Sequence, residues 1–344
     1  MKRSALEFKR PKELEATLPT EYRGIERDEV RLMVSTPDGH RHASFRDLPS
    51  FLKPGDLLVV NRSATLPASL SAEGDPGRFI VNLSTDYGRN LWLAEPRWAA
   101  DRPGPLPLHP GEHFRLGQAE ARIVSPFPGI PELWFISTGQ DLRASMSCCG
   151  QPIRYGYVRQ PYPLAMYQTL FADTPGSAEM PSAGRPFTRR VLDQMEARGV
   201  GLAEITLHTG VSSMEVEAED IEDHVLYPEP FEIPAATAQA VNAARHEGRR
   251  VIAVGTTVVR ALETAWDGGE VRAISGFTRL YVHPGGGVHV VDGLLTGLHD
   301  PVTSHLAMLY AVASEGLVRD AYSEAIRHGY LWHEFGDSHL ILPN

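Results

Sequence analysis

The residues with the clearest chemical potential are Gly255-Thr256-Thr257, with Arg260 and Glu263 just behind them. They follow the apolar run Val251-Ile252-Ala253-Val254, so the stretch reads as a strand, a tight turn and a helix start. The first N–H groups of a helix have no intrahelical acceptor and attract anions. This turn therefore suits a carboxylate or the hydroxyls of a ribose, although a plain turn with a threonine N-cap would read the same way. Arg260, one turn into the helix, could clamp a carboxylate. A second set is Glu204, Thr206 and His208. They alternate with Ile205 and Leu207 on a strand predicted over Leu202 to His208. Histidine and glutamate on one face offer general acid–base chemistry. Alternation alone does not separate the polar wall of a ligand site from a solvent-facing strand surface.

Several chemistries lose their sequence support. Pro284-Gly285-Gly286-Gly287 is not a GxGxxG fingerprint and reads as a hairpin connection, and no Walker A, GxSxG, HExxH or CxxC pattern occurs. His299 and His305 are six apart, and His333-Glu334 has no partner histidine at ligand spacing. No metal is expected, and the histidines read as scattered surface or hydrogen-bonding groups. Cys148 and Cys149 are adjacent, which gives neither a disulfide framework nor a zinc pattern.

The elements that must position these residues fall into two styles. Between about 65 and 150, short runs (Phe79 to Leu83, Leu91 to Ala94, Ala121 to Val124, Leu133 to Ile136) are split by turn clusters such as Asp101 to Pro105. Evenly spaced short strands of this kind predict a small antiparallel barrel or sandwich. Before this region, Leu57 to Val60 follows the turn signal Pro54-Gly55-Asp56 and reads as a strand. After it, helices alternate with strands. One helix is capped by Thr188 and ended at Gly199, and another is opened by Pro234 and ended near Gly248. Strands are predicted at Arg279 to Val282 and Val288 to Val291, and two helices near 303–313 and 317–328. The fold class is α/β: a layered α/β domain (1–64 and 150–344) interrupted by a small antiparallel β-barrel insertion (65–149).

The 344 residues carry a net charge of −10, which does not favour a dedicated DNA-binding protein. Met1-Lys2-Arg3 is not followed by a signal-peptide core, and no apolar run spans a bilayer. A cytoplasmic, monomeric protein without membrane contact is expected.

Ordered segments along nearly the whole chain resemble the S-adenosylmethionine:tRNA ribosyltransferase-isomerase family of queuosine biosynthesis. They are Phe45-Arg46-Asp47-Leu48-Pro49, Leu52 to Val59, Asn61, Leu66-Pro67-Ala68, Tyr167-Gln168-Thr169, Pro181-Ser182-Ala183-Gly184, Phe187-Thr188, Thr206-Leu207-His208 and Asp220 to His224. The turn through Arg260 and Glu263, His299, Pro301 and Phe335-Gly336-Asp337 complete the set. The resemblance implies an α/β domain interrupted by a barrel, no metal, and S-adenosylmethionine as a substrate. The ribosyl part of that substrate would be transferred to 7-aminomethyl-7-deazaguanine in tRNA and isomerised to give epoxyqueuosine, releasing adenine and methionine. In that frame His208, Glu204, His299 and Asp337 are the catalytic candidates. Gly255, Thr256, Thr257, Arg260, Glu263, Ser182, Gly184 and Thr206 are the candidates for holding substrate. The sequence departs from the family pattern at Arg185-Pro186, Ser212 to Glu215, Val302-Thr303-Ser304 and Ser69. Two alternatives stay open: a paralogue that uses S-adenosylmethionine with a non-tRNA acceptor, and a non-catalytic ligand- or RNA-binding relative.

Overall fold

The computed structural model describes residues 1–98, 106–211 and 215–343. The turn expected at Asp101 to Pro105 and the departure at Ser212 to Met214 lie outside the described residues. The strand Leu57–Asn61 is apolar on both faces and is buried throughout. Leu57 and Val59 enter one apolar cluster, with Ile205, Ala253, Val258 and Leu262, while Leu58 and Val60 enter another, with Phe45, Phe187, Val191 and Ile252. A strand whose successive side chains feed two cores must lie inside a sheet covered on both faces.

It does. The sheet has nine strands, in the spatial order Ile274–Thr278, Glu229–Ile233, Gly201–Leu207, Leu57–Asn61, Val251–Val254, Gly293–Gly297, Ser338–Ile341, Arg31–Thr36 and Gly39–Ser44. The four from Gly201–Leu207 to Gly293–Gly297 run parallel, and Ser338–Ile341 runs antiparallel to Gly293–Gly297. The carboxyl ends of the four parallel strands therefore lie beside the start of Ser338–Ile341. In open α/β sheets the crevice outside those carboxyl ends is where ligands bind.

The second part is a closed antiparallel barrel of six strands, from Ser69–Gly74 to Ile130–Thr138. Its inward residues, among them Leu70, Val81, Leu83, Leu116, Ile123 and Ile136, form their own core. Closure removes the exposed sheet edges that so many short strands would otherwise present. The two connections to the α/β sheet run side by side: Ser69 and Gln151 exchange both backbone hydrogen bonds at 2.9 Å. Gly150 stands at this crossing, where a Cβ would fall 2.1 Å from the Pro67 carbonyl oxygen.

The helices Arg189–Ala197, Ala235–His246, Ser304–Val312 and Glu315–Arg327 follow the pattern read from the sequence, and the Thr188 side chain accepts from the Val191 N–H as a cap. The strands expected at Arg279 to Val282 and Val288 to Val291 are not formed. Pairing instead falls one step away on each side, at Ile274–Thr278 and Gly293–Gly297. The β-rich composition of 279–291 is overridden because its backbone serves other partners. The Arg260 guanidinium donates to the Leu280 carbonyl, and the His289 and Val290 N–H groups donate to Glu263.

Candidate active site

One cavity lies at the carboxyl end of the parallel strands, and most of its walls come from segments that leave or enter strands of the sheet. Thr209 follows Gly201–Leu207, and Gly255, Thr256 and Thr257 follow Val251–Val254. Gly297 to Asp300, with Thr303 and His305, follow Gly293–Gly297, and His333 and Glu334 precede Ser338–Ile341. Tyr155, Tyr157, Glu179 and Ser182 close the remaining side. At about 240 Å³ the cavity suits a small molecule and not a folded partner.

Gly255 is the N-cap of the helix Thr256–Thr264, with φ 95° and no side-chain acceptor on the first turn. The alternative of a threonine N-cap is not realised: glycine holds that position, where a side chain at this positive φ would be strained and would also approach Ala183 at 3.4 Å. Thr256 and Thr257 sit inside the first turn, so its N–H groups face the cavity without a competing side-chain cap. Asn61 fixes the turn from below. Its Nδ2 donates to the Leu207 carbonyl at 2.8 Å and to Thr257 Oγ1 at 3.3 Å.

The charge of the lining decides what it can hold. Glu179, Glu215, Asp300 and Glu334 contribute carboxyls, and no lysine or arginine is among the described lining residues. Three histidines converge there. Burial and the neighbouring His305, His333 and His339 hold His299 well below the ordinary imidazole range. Burial, with Arg260 nearby, lowers His305 to about 4. Burial also lowers His333, against the pull of Asp300. All three shifts favour the neutral imidazole over the imidazolium, so they work against positive charge in the lining. His299 Nε2 and Thr296 Oγ1 are 2.8 Å apart, and the rings of His299 and His305 stack at 4.8 Å. On another wall the rings of Tyr155, Tyr157 and His333 form a parallel stack, with centroids 5.6 and 4.2 Å apart. His333 itself has φ 76°, a strained conformation for a side chain of this kind.

The queuosine biosynthesis protein family matches residues 3–341. The chain belongs to that family. It is 38% identical over 348 residues to an S-adenosylmethionine:tRNA ribosyltransferase-isomerase of Rubrobacter xylanophilus, covering 99% of this chain and 98% of the relative. An enzyme of the same name from Thermus thermophilus is 38% identical over 93% of this chain and 94% of its own. The crystal structure of S-adenosylmethionine tRNA ribosyltransferase from Thermotoga maritima superposes with a TM-score of 0.56 at 27% identity, covering 98% of this chain and 100% of that one.

Of the residues the sequence singled out in this queuosine-family chain, Ser182, Gly255, Thr256, Thr257 and His299 line the cavity. The others stand elsewhere, each for a physical reason. Thr206 pairs with Glu232 across the sheet, and the Glu204 carbonyl accepts from Thr237. His208 lies one residue past the strand and packs against Gly176, with its Nδ1 2.7 Å from Ser63 Oγ. It is joined to the cavity only through hydroxyls: Ser63 Oγ is 2.6 Å from Ser177 Oγ, which is 3.2 Å from Thr209 Oγ1. Burial lowers the His208 imidazole as well. Gly184 packs on Phe171 and Thr169. Glu263 is spent on the His289 and Val290 N–H groups, Arg260 pairs with Glu229, and the Asp337 carboxylate accepts from Arg31 and the Leu331 N–H.

Residues that sequence reading passed over are His305, His333, Glu334, Glu179, Tyr155 and Tyr157. His305, His333 and Glu334 were visible only as a failed metal spacing. Among the described residues one group could hold a metal ion, His42, Glu324 and His328, and it lies on the edge strand Gly39–Ser44 and its neighbouring helix, outside the cavity. Arg185, where the family pattern departs, is buried and serves Glu21, Thr20 and the Met166 carbonyl.

Proposed function

We propose that this chain is an S-adenosylmethionine:tRNA ribosyltransferase-isomerase, building the epoxycyclopentane of queuosine on 7-aminomethyl-7-deazaguanine in tRNA with release of adenine and methionine. The observation that carries the reading is the cavity itself. Carboxyls, neutral histidines and an uncapped helix N-terminus form one small pocket, and the donor is a cation with a carboxylate at one end. Its sulfonium and ammonium suit Glu179, Glu215 and Asp300, while its methionine carboxylate suits the N–H groups of Thr256 and Thr257. Ser182 and Thr303 add hydroxyls for the ribose.

The chemistry asks for proton traffic more than for nucleophiles of the protein's own. The sulfonium acidifies the C5′ protons, adenine takes up a proton as it departs and leaves neutral, and the acceptor amine attacks. His299, neutral and hydrogen-bonded to Thr296, serves as a proton acceptor that does not repel the sulfonium. His208, linked through Ser63 and Ser177 to Thr209, is a second station for a proton leaving the cavity.

The acceptor side continues outward. Tyr155, Tyr157, Asp300 and His333 also line a wider cleft that adds Lys12 and Arg159, both exposed. Glu15 and Asp300 line the same cleft and pair with Arg10, which leaves Lys12 and Arg159 as the cations an RNA phosphate would meet. Reversing both charges (Lys12→Glu with Arg159→Glu) is expected to raise KM for tRNA at least tenfold at moderate salt, to flatten the salt dependence by about one log unit per lost contact, and to leave KM for S-adenosylmethionine unchanged. An unchanged KM for tRNA would remove this cleft as the RNA approach.

The deciding experiment incubates the protein with S-adenosylmethionine, with and without tRNA carrying 7-aminomethyl-7-deazaguanine, and follows adenine by mass spectrometry. Adenine is expected only when both are present. Absence of adenine despite demonstrated binding of both would overturn the assignment.

A further inference from the structure

Glu334 is the carboxyl in the cavity with the least ordinary surroundings. It is half-buried, its Oε1 is sealed from solvent, and that oxygen has no hydrogen-bond partner among the described residues. A second carboxyl, Glu179, lines the same cavity and acts on it electrostatically. Glu334 lines the same cavity as Tyr155, Tyr157 and His333, whose rings form the parallel stack, and its charge acts on Tyr157. A purine ring extends such a stack at little cost, because its face is as flat and polarisable as theirs. The walls thus have different chemistry. The helix start at Thr256 suits the amino-acid end of the donor, and the aromatic stack suits its base.

We propose that Glu334 is a catalytic residue: its carboxyl, beside the aromatic stack, gives its proton to a ring nitrogen of the departing adenine. The proposal rests on the reading of this cavity as the S-adenosylmethionine site. In the step, the C1′–N9 bond breaks and its electron pair goes to the base. The Glu334 proton goes to the same base, which leaves as neutral adenine, and the carboxylate that remains takes a proton back from water. The acceptor base is not the partner in this transfer. Its amine must lose a proton to attack, not gain one.

The acid must be protonated before the donor binds, and the surroundings favour that. Burial first, then the charge of Glu179, push Glu334 up to about 8, against the pull of Arg185. Two carboxyls close together cannot both ionise freely, so one keeps its proton and the other sets the field. Glu334 is therefore an acid at neutral pH, and this competence is lost as pH rises through about 8. On the proton transfer Glu179 acts through Glu334, in addition to its place beside the cationic groups of the donor.

The test uses the full chain with S-adenosylmethionine and the 7-aminomethyl-7-deazaguanine tRNA. Glu334→Gln is expected to bind S-adenosylmethionine within about twofold of wild type, to release adenine about 100-fold more slowly in kcat, and to lose the fall in kcat/KM above about pH 8. Glu334→Asp should recover part of the rate. Glu179→Gln, whatever it costs in S-adenosylmethionine affinity, should move the alkaline fall to lower pH, because the charge that raises Glu334 is gone. Infrared difference spectra of wild type against Glu334→Gln at pH 7, without substrate, should show a carboxylic C=O stretch, a readout independent of turnover. Wild-type rates in Glu334→Gln, or a C=O stretch absent at pH 7, would overturn the role of Glu334 while leaving the transferase assignment intact. No adenine from wild type with both substrates bound would bring down the assignment of the site and this proposal with it.

Discussion

Asp337→Ala is expected to destabilise the protein by about 3–5 kcal/mol, and not to yield a stable, inactive enzyme. The carboxylate is 4% exposed and accepts four hydrogen bonds. Oδ1 takes the Arg31 N–H at 2.8 Å, and Oδ2 takes Arg31 Nε at 3.0 Å, Arg31 Nη2 at 2.7 Å and the Leu331 N–H at 2.7 Å. Removing it strands two backbone donors and half of a guanidinium, and hydrogen bonds to a charged group contribute about 1.5–3 kcal/mol each before compensation by water. The bonds also bind the start of Arg31–Thr36 to the loop before Ser338–Ile341, the loop that carries His333 and Glu334. Gly336 completes this tight turn, since a Cβ there would lie 2.4 Å from the Leu331 carbonyl oxygen. Asp337→Asn keeps the volume and the acceptor oxygen, so a loss of about 1–2 kcal/mol is expected from it. Urea unfolding of the two variants checks the order. A folded Asp337→Ala with wild-type midpoint and no adenine release would instead return Asp337 to the chemistry.

The architecture was legible where the physics is local. The buried run Leu57 to Val60, the capped helix after Thr188, and the glycine ending Val251–Val254 each carry their own instruction, and the structure follows them. The barrel was readable from evenly spaced short strands, since closure is the economical way to dispose of their edges. The site was less legible because its parts meet through topology. His299, His305 and His333 come from segments that only the antiparallel pairing of Gly293–Gly297 with Ser338–Ile341 brings together. No spacing rule sees that pairing. Glu204, Thr206 and His208 are polar by residue type alone, and polarity does not say where a cavity opens. The strand ends at Leu207, and it is the next inward residue, Thr209, that reaches the lining. Likewise the net charge of −10 is a global quantity, whereas the absence of lysine and arginine from the described lining of the cavity, beside a cleft with Lys12 and Arg159, is a local one.

Arg260 shows how a plausible binding residue is reassigned by its partners. The sequence put it one turn into the helix that opens on the cavity, where it could clamp a carboxylate. In the fold its Nη1 donates to Glu229, its Nε donates to the Leu280 carbonyl at 3.0 Å, and the two side chains are 12% and 4% exposed. Glu229 also accepts the Gly210 N–H at 2.7 Å. The pair therefore joins the helix Thr256–Thr264 to the strand Glu229–Ile233 and to the loop after Thr209, with its donors already committed. Glu229→Ala leaves a nearly buried guanidinium without its counter-ion, and a destabilisation of about 3–5 kcal/mol is expected. Arg260→Ala leaves Glu229 similarly exposed to its own desolvation cost and should lose a comparable amount. Replacing both by apolar residues of similar size (Glu229→Leu with Arg260→Met) removes both charges at once and should recover most of the loss, because the desolvation penalty disappears with the attraction. That non-additivity separates an ion pair from two independent contacts. In every variant that remains folded, calorimetry should find S-adenosylmethionine bound within about twofold of wild type. A folded Arg260→Ala that binds it tenfold more weakly, about 1.4 kcal/mol, would restore the guanidinium as the carboxylate clamp.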